Sequence, residues 1–294
     1  MPWLQLKLTT DRNSAEGLED LLLASGAVSV TLEDNADQPI LEPALGETPL
    51  WDQVRLTGLY DADIDTRAVS ERLASAWNQP LPEHRWEQLE DKDWEREWMS
   101  HYQAIRCGER LWICPSWHEP PEPDKVNLML DPGLAFGTGT HPTTFLCLQW
   151  LDQQQLDGLD LVDFGCGSGI LGIAALLLGA DRVTGVDIDP QALTATRDNA
   201  ARNALPENAM PVYLPGQCPE VTADIMLANI LAGPLVELAP QLQRMTRVEG
   251  KICLSGILAN QAEAVMAAYR PWFDFDPVAE QDGWVRLTGT KIRP

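Results

Sequence analysis

At 294 residues and 45% apolar content, the chain is long enough for one large or two ordinary globular domains, which excludes a disordered or low-complexity polypeptide. Its 44 acids outnumber its 21 bases, and a net charge of -23 repels naked nucleic acid while favouring a basic protein partner. Six scattered cysteines without a CxxC pair exclude a disulfide framework or a zinc site, and the absence of a signal-peptide core or a run of 18 apolar residues predicts a cytoplasmic protein with no membrane contact.

Residues 3–9 alternate apolar and polar as a half-buried strand does. Asn13 or Ser14 is placed to cap a helix over residues 15–25 that stops at Gly26. Strands are expected over 27–32, 53–60 and 85–89, a helix over 65–77, and a polar loop over 33–49. The order βαββαβ is that of a ferredoxin-like α+β domain. Residues 1–90 hold 17 acids against 6 bases, nearly half of the net charge in under a third of the chain. A small acidic module with no catalytic constellation reads as a substrate-recognition arm, with dimerisation or stabilisation as the alternative.

Residues 90–99 form a charged helical pattern with Trp94 and Trp98 on one face, the start of an expected helical linker over 91–110. Acidic flanks argue against these rings as a nucleic-acid stacking platform. The second domain is expected over 111–294. It begins with strands over 111–115 and 126–130, followed by the loop 131–144, which combines Gly133, Gly137 and Gly139 with hydroxyls and ends at a helix whose first position suits Pro142. Thr143 and Thr144 could close over a polar ligand there, with Phe136 as an apolar lid. His141 reads as a helix cap ahead of a general base.

The most informative stretch follows. Leu161-Val162-Asp163-Phe164 is an apolar run that ends in an acid and leads into Gly165-Cys166-Gly167-Ser168-Gly169 and a helix rich in small residues. Gly165 and Gly167 allow a sharp turn and a close approach to a ligand, while Gly169 is expected to let the helix pack on the strand. Asp187 lies 22 residues beyond Gly165, after a second strand-like run, where an acid accepts bonds from ribose hydroxyls. The GxGxG spacing lacks the later glycine of the dinucleotide fingerprint, and Asp163 sits where a pyrophosphate would be repelled. Both features favour S-adenosyl-L-methionine over NAD.

From Leu161 onward strands and helices alternate, which predicts a parallel sheet covered on both faces. Asp189 caps a helix begun by Pro190. Strands are expected over 212–214, 223–229 and 251–255, helices over 235–245 and 260–269, and a closing antiparallel pair over 273–280 and 284–290. Asn229 ends its strand at the sheet edge where ligands sit in such folds.

With these residues in hand, the chain closely resembles the bacterial methyltransferases of ribosomal protein L-eleven, from the opening Met-Pro-Trp through 90–99, 130–144, 163–170 and 228–234. The resemblance implies a seven-stranded Rossmann-like class I methyltransferase domain behind the ferredoxin-like one. It implies that Thr144, Gly165, Gly167, Asp187 and Asn229 contact S-adenosyl-L-methionine, with Asn229 also catalytic, and that no metal is used. It further implies a monomer that trimethylates lysine ε-amines and the N-terminal α-amine of a basic ribosomal protein, with no direct nucleic acid contact. One departure stands out. Many amine methyltransferases carry Asn-Pro-Pro-Tyr after the fourth strand, and Asn229-Ile230-Leu231-Ala232 keeps only the asparagine. The alternatives are a methyltransferase of RNA or a small amine, a non-catalytic module that senses the cofactor on the ribosome, and, more remotely, a dehydrogenase.

Overall fold

The computed structural model describes residues 3–36, 38, 49–89, 103–131 and 139–294, divided between two units, Met1–Met99 and Ser100–Pro294. The expected Trp94–Trp98 face and most of the 131–144 loop, Phe136 included, lie outside the described residues.

The first unit runs β1 (Trp3–Asp11), α1 (Arg12–Ala24), β2 (Ser29–Asp34), β3 (Gln53–Asp61), α2 (Thr66–Ala76) and β4 (His84–Leu89). Its antiparallel sheet has the order β2-β3-β1-β4. Alternate residues Leu6 and Leu8 of β1 and Val54 and Leu56 of β3 meet Leu18 and Leu22 of α1 and Val69 and Leu73 of α2 in one core. Two boundaries differ from expectation. Asp11, not Asn13 or Ser14, caps α1, because its carboxylate accepts from both Asn13 N and Ser14 N. Ala27 is spent closing the helix, its N–H bonded to Leu22 O, so β2 starts two residues late at Ser29.

The second unit opens with a small sheet of β5 (Ile105–Arg106), β6 (Leu111–Cys114) and β7 (Val126–Met129). The described part of the expected linker is thus not helical, since Ile105 and Arg106 pair with Ile113 and Trp112. Then come α3 (Pro142–Asp152), β8 (Asp160–Phe164), α4 (Ile170–Leu177), β9 (Arg182–Val186), α5 (Pro190–Arg202), β10 (Val212–Tyr213), β11 (Ala223–Asn229), α6 (Ala232–Arg244), β12 (Thr246–Leu258), α7 (Ala262–Tyr269), β13 (Phe273–Phe275), β14 (Ala279–Gln281) and β15 (Trp284–Lys291). The main sheet has the order β10-β9-β8-β11-β12-β15-β13, with β14 also on β15. The first five strands are parallel, and β12, β13 and β14 all pair antiparallel with β15.

The period-2 pattern of the strands builds two cores. Leu161, Ile225 and Leu227 face one that includes α3, α4 and Leu193 of α5, whereas Val162, Phe164, Met226 and Ala228 face the other, filled by α6 and α7. The single strand expected over 273–280 is split in two, as Pro277 has no N–H to give a ladder there. Helix α6 begins three residues before expectation because Pro234 sits in its first turn, where a missing N–H costs nothing.

Lys291 closes this unit from inside. Only 4% exposed, its Nζ donates to Gln243 O at 2.6 Å, an end carbonyl of α6, and to Thr246 O at 3.0 Å. Lys291→Met should leave both carbonyls buried without a donor, cost about 2 kcal/mol, and lower the melting temperature by roughly 4–8 °C. An unchanged melting temperature would show that water replaces the ammonium at no cost.

Candidate functional site

Strands β8, β9 and β11 end on one edge of the parallel sheet, and the chain reverses its direction of winding between β8 and β11. A crevice must open there, because the connections leaving the two strands go to opposite sides. A cavity of about 370 Å³ fills it, within the size range of small-molecule sites. Thr144, Gly165, Gly167, Asp187 and Asn229, all five of the residues expected at the site, line it together with Asp163, Ile188 and Ile230.

The glycine turn is held from several directions. Gly165 N and Cys166 N both donate to Val186 O, at 2.7 and 3.1 Å, which ties the turn to the end of β9. Gly167 N donates to Asp187 Oδ2 at 2.9 Å, while Asp187 Oδ1 accepts from Asp189 N at 3.0 Å. Both oxygens of the expected ribose acceptor are therefore already oriented by backbone amides. Gly165 and Gly167 have φ of 76° and 55°, a region that disfavours any side chain, and without Cβ atoms they leave the cavity wall bare. Gly169 has a different job from the one expected. A Cβ there would lie 2.7 Å from Thr196 Cγ2, so the close approach it permits is to α5; Gly172 is the glycine that lets α4 lie on β9, its missing Cβ facing Val183 at 3.0 Å.

Sequence reasoning missed the support behind the turn. Thr196 Oγ1 donates to Gly167 O at 3.0 Å and Asn199 Nδ2 to Ser168 O at 2.8 Å, so two side chains three apart on α5 satisfy carbonyls of the loop. Both are buried, and a pair of polar residues on the inward face of an amphipathic helix is the signal that would have found them.

Across the cavity, α3 starts at His141, whose Nδ1 caps it by accepting from Thr143 N and lies 2.8 Å from Thr143 Oγ1. Thr143 is thus engaged away from the cavity, and only Thr144 of the two hydroxyls lines it. Burial lowers the basicity of His141, and its ring meets Trp284 edge-on at 4.9 Å, as suits a packed helix cap. Thr144 Oγ1 accepts from Asn229 Nδ2 at 3.1 Å. That bond leaves Asn229 Oδ1 buried with no partner among the described residues. A buried acceptor without a donor costs roughly 1–3 kcal/mol, so it fits a site completed by a ligand N–H or O–H.

Asp163 departs from expectation. Its carboxyl is 1% exposed and accepts from Gly172 N at 2.9 Å rather than standing free at the mouth of the turn. Burial, reinforced by the nearby Asp187 carboxylate and opposed by the Gly172 amide, raises it from the ordinary value to about 7. Burial also pushes the Cys166 thiol up to about 12, so it is no nucleophile at neutral pH. The bare glycine wall, the oriented Asp187 and the donorless Asn229 Oδ1 together fit an adenosine-bearing cofactor and a polar second ligand.

Comparison with known proteins bears on the same residues. Residues 2–292 match the family model described as Ribosomal protein L11 methyltransferase (PrmA). The chain belongs to that family. A ribosomal protein L11 methyltransferase of Cellvibrio japonicus is 70% identical over the full length of both chains, and one of Pseudomonas aeruginosa is 60% identical over 99% of each. Among solved structures, a ribosomal protein L11 methylase of Lactobacillus delbrueckii subsp. bulgaricus is 32% identical with a TM-score of 0.58, covering 65% of this chain and all of that one. Family membership removes the dehydrogenase as an alternative, and it gives the GxGxG turn its meaning as part of a methyltransferase.

The state of Asp163 makes a prediction about stability. Its folded pKa lies above that of an unfolded aspartate, so its contribution to stability is present at acid pH and is lost as pH rises through about 7. Asp163→Asn keeps an acceptor for Gly172 N and removes the charge. The stability gained by this variant of the ligand-free protein, measured by urea unfolding, should be larger at pH 8 than at pH 5, and an equal change at both would show that Asp163 does not titrate in that window.

Proposed function

We propose that the protein transfers methyl groups from S-adenosyl-L-methionine to lysine ε-amines and to the N-terminal α-amine of ribosomal protein L11. The observation that carries this reading is the donorless Oδ1 of Asn229, in one cavity with the glycine turn and Asp187. When bound, the cofactor supplies a methyl group on a sulfonium, an electrophile that needs no further activation. What remains for the protein is to hold and orient two ligands and to exclude water.

Gly165 and Gly167 admit the nucleoside close to the backbone, and Asp187, fixed by Gly167 N and Asp189 N, keeps lone pairs for the ribose hydroxyls. Thr144 holds the Asn229 amide so that Nδ2 is used and Oδ1 remains to accept an N–H of the amine. The amine must arrive neutral. At neutral pH that costs about 1 kcal/mol for an α-amine and roughly 4–5 kcal/mol for a lysine, so a neutral acceptor that selects the uncharged form is suited to both.

The recognition of L11 falls, on this reading, to the first unit, which we take as ferredoxin-like from its βαββαβ order and as the acidic arm for a basic partner. The protein is read as a cytoplasmic monomer that contacts no nucleic acid directly.

Intact-mass measurement of unmodified L11, after incubation with the protein and S-adenosyl-L-methionine, tests this reading. Successive methyl additions that reach three per amine are expected, and no addition despite cofactor binding would reject the substrate. Asp187→Ala should weaken the cofactor some ten- to hundred-fold in calorimetry, the worth of charge-assisted bonds of about 1.5–3 kcal/mol. Unchanged affinity in a variant that melts normally would remove Asp187 from the ribose.

A further inference from the structure

Asp163 lines the cavity, yet the roles assigned above leave it no task. Among the described residues its carboxyl accepts one hydrogen bond, from Gly172 N, although a carboxylate offers about four lone-pair positions. On its flanks in the sheet stand Gly185 of β9 and Leu227 of β11, and α4 above it is apolar throughout. The titratable groups that bear on it are Asp187 at the end of β9 and the Cys166 thiol on the turn, both acids. No lysine, arginine or histidine is among the residues that line the cavity. A buried carboxyl with acidic neighbours and no counter-cation is a group whose partner comes with the ligand.

We propose that Asp163 is a proton-coupled counter-ion for the sulfonium cofactor: it holds a proton in the free protein on the acid side of neutrality, gives it to solvent when the cation binds, and regains it after methyl transfer. The inference rests on the function proposed above. In that reaction the S–CH3 bond breaks with its electron pair left on sulfur, the amine lone pair forms the N–CH3 bond, and the positive charge passes from sulfur to nitrogen. The remaining thioether is one charge poorer, so Asp163 loses its partner and its ionised form is again disfavoured by burial. The same carboxyl thereby favours entry of the methyl donor and departure of its product. The raised pKa of Asp163 described above supports this, because it places the exchange near neutral pH.

Linkage fixes the sign. Below about pH 7 the free protein must lose a proton to bind the cation, so affinity for S-adenosyl-L-methionine falls up to tenfold per pH unit, and above it the dependence flattens. The thioether product S-adenosylhomocysteine carries no sulfonium and should not follow that curve.

Calorimetric titration of the full-length protein with each of the two ligands, at about pH 6 and pH 8.5 and in buffers of different ionisation heat, counts the protons exchanged. At pH 6 the wild-type protein should release nearly one proton more with the donor than with S-adenosylhomocysteine, and at pH 8.5 the excess should vanish apart from the donor's own α-amino group, which titrates near 8 and is common to any variant. In Asp163→Asn the excess at pH 6 should disappear and the preference for donor over product should shrink about tenfold or more, while retained binding of S-adenosylhomocysteine shows that the variant is folded. Equal proton release with both ligands in the wild-type protein at pH 6 overturns the counter-ion role and leaves the methyltransferase reading intact. If neither ligand binds the wild-type protein, the proposed function fails with it.

Discussion

Ile230 is held between two glycines, and the geometry of the site depends on that wedge. A Cβ on Gly165 would lie 2.2 Å from Ile230 Cγ2, and one on Gly256 would lie 2.3 Å from Ile230 O, distances that no real methyl group tolerates. Both glycines have positive φ, 76° and 82°, so the backbone itself is shaped for the contact. The chain leaving β11 is therefore gripped on one side by the end of β8 and on the other by β12, where Asn229 pairs with Ser255. With the backbone fixed, the Asn229 side chain has a determined reach, and Thr144 completes its orientation. A small displacement of Ile230 would move the acceptor that the amine is proposed to find, and such displacements are costly in rate when reacting groups must be aligned.

The glycine turn has the opposite problem, since residues that bend freely also lose the most entropy when ordered. Four tethers offset that loss. Val186 O takes two turn amides, Asp187 takes a third, and Thr196 and Asn199 of α5 satisfy two of the turn's carbonyls. Each is a buried polar bond whose breakage would leave an unsatisfied partner, so the turn is rigid because of its surroundings and not its composition. A preorganised cradle of this kind spends little binding energy on ordering itself.

Local features of the site were legible in the sequence, and long-range ones were not. The turn, Asp187, Asn229 and Thr144 announced themselves because their roles depend on positions relative to a strand end or a helix start. The alternation from Leu161 onward likewise gave the covered sheet, and family membership accounts for its methyltransferase character. Thr196 and Asn199 escaped because their partners lie about thirty residues away in sequence. The purpose of Gly169 was misassigned for the same reason: its constraint is Thr196, on another helix. The cap of α1 was placed too late because three consecutive capping residue types, Asp11, Asn13 and Ser14, compete in one short stretch, and only the length of β1 decides among them.

Charge acts in this molecule on two scales that should not be confused. The net charge of -23 is a long-range field that draws cationic partners and is screened beyond about 10 Å at ordinary ionic strength, so it affects encounter more than chemistry. Inside the cavity, the position proposed to meet the amine is a neutral amide. An aspartate in place of Asn229 would attract an ammonium more strongly, but it would also stabilise the protonated form and raise the amine pKa, leaving fewer molecules with a free lone pair. A carboxamide offers the same acceptor geometry without that penalty. The two acids of the cavity, Asp163 and Asp187, instead sit at the ends of β8 and beyond β9, on the glycine-turn side, where a positive sulfonium and ribose hydroxyls have use for them. The division of neutral and acidic groups across one small cavity thus matches the division of charge between a methyl donor that must be cationic and a methyl acceptor that must not be.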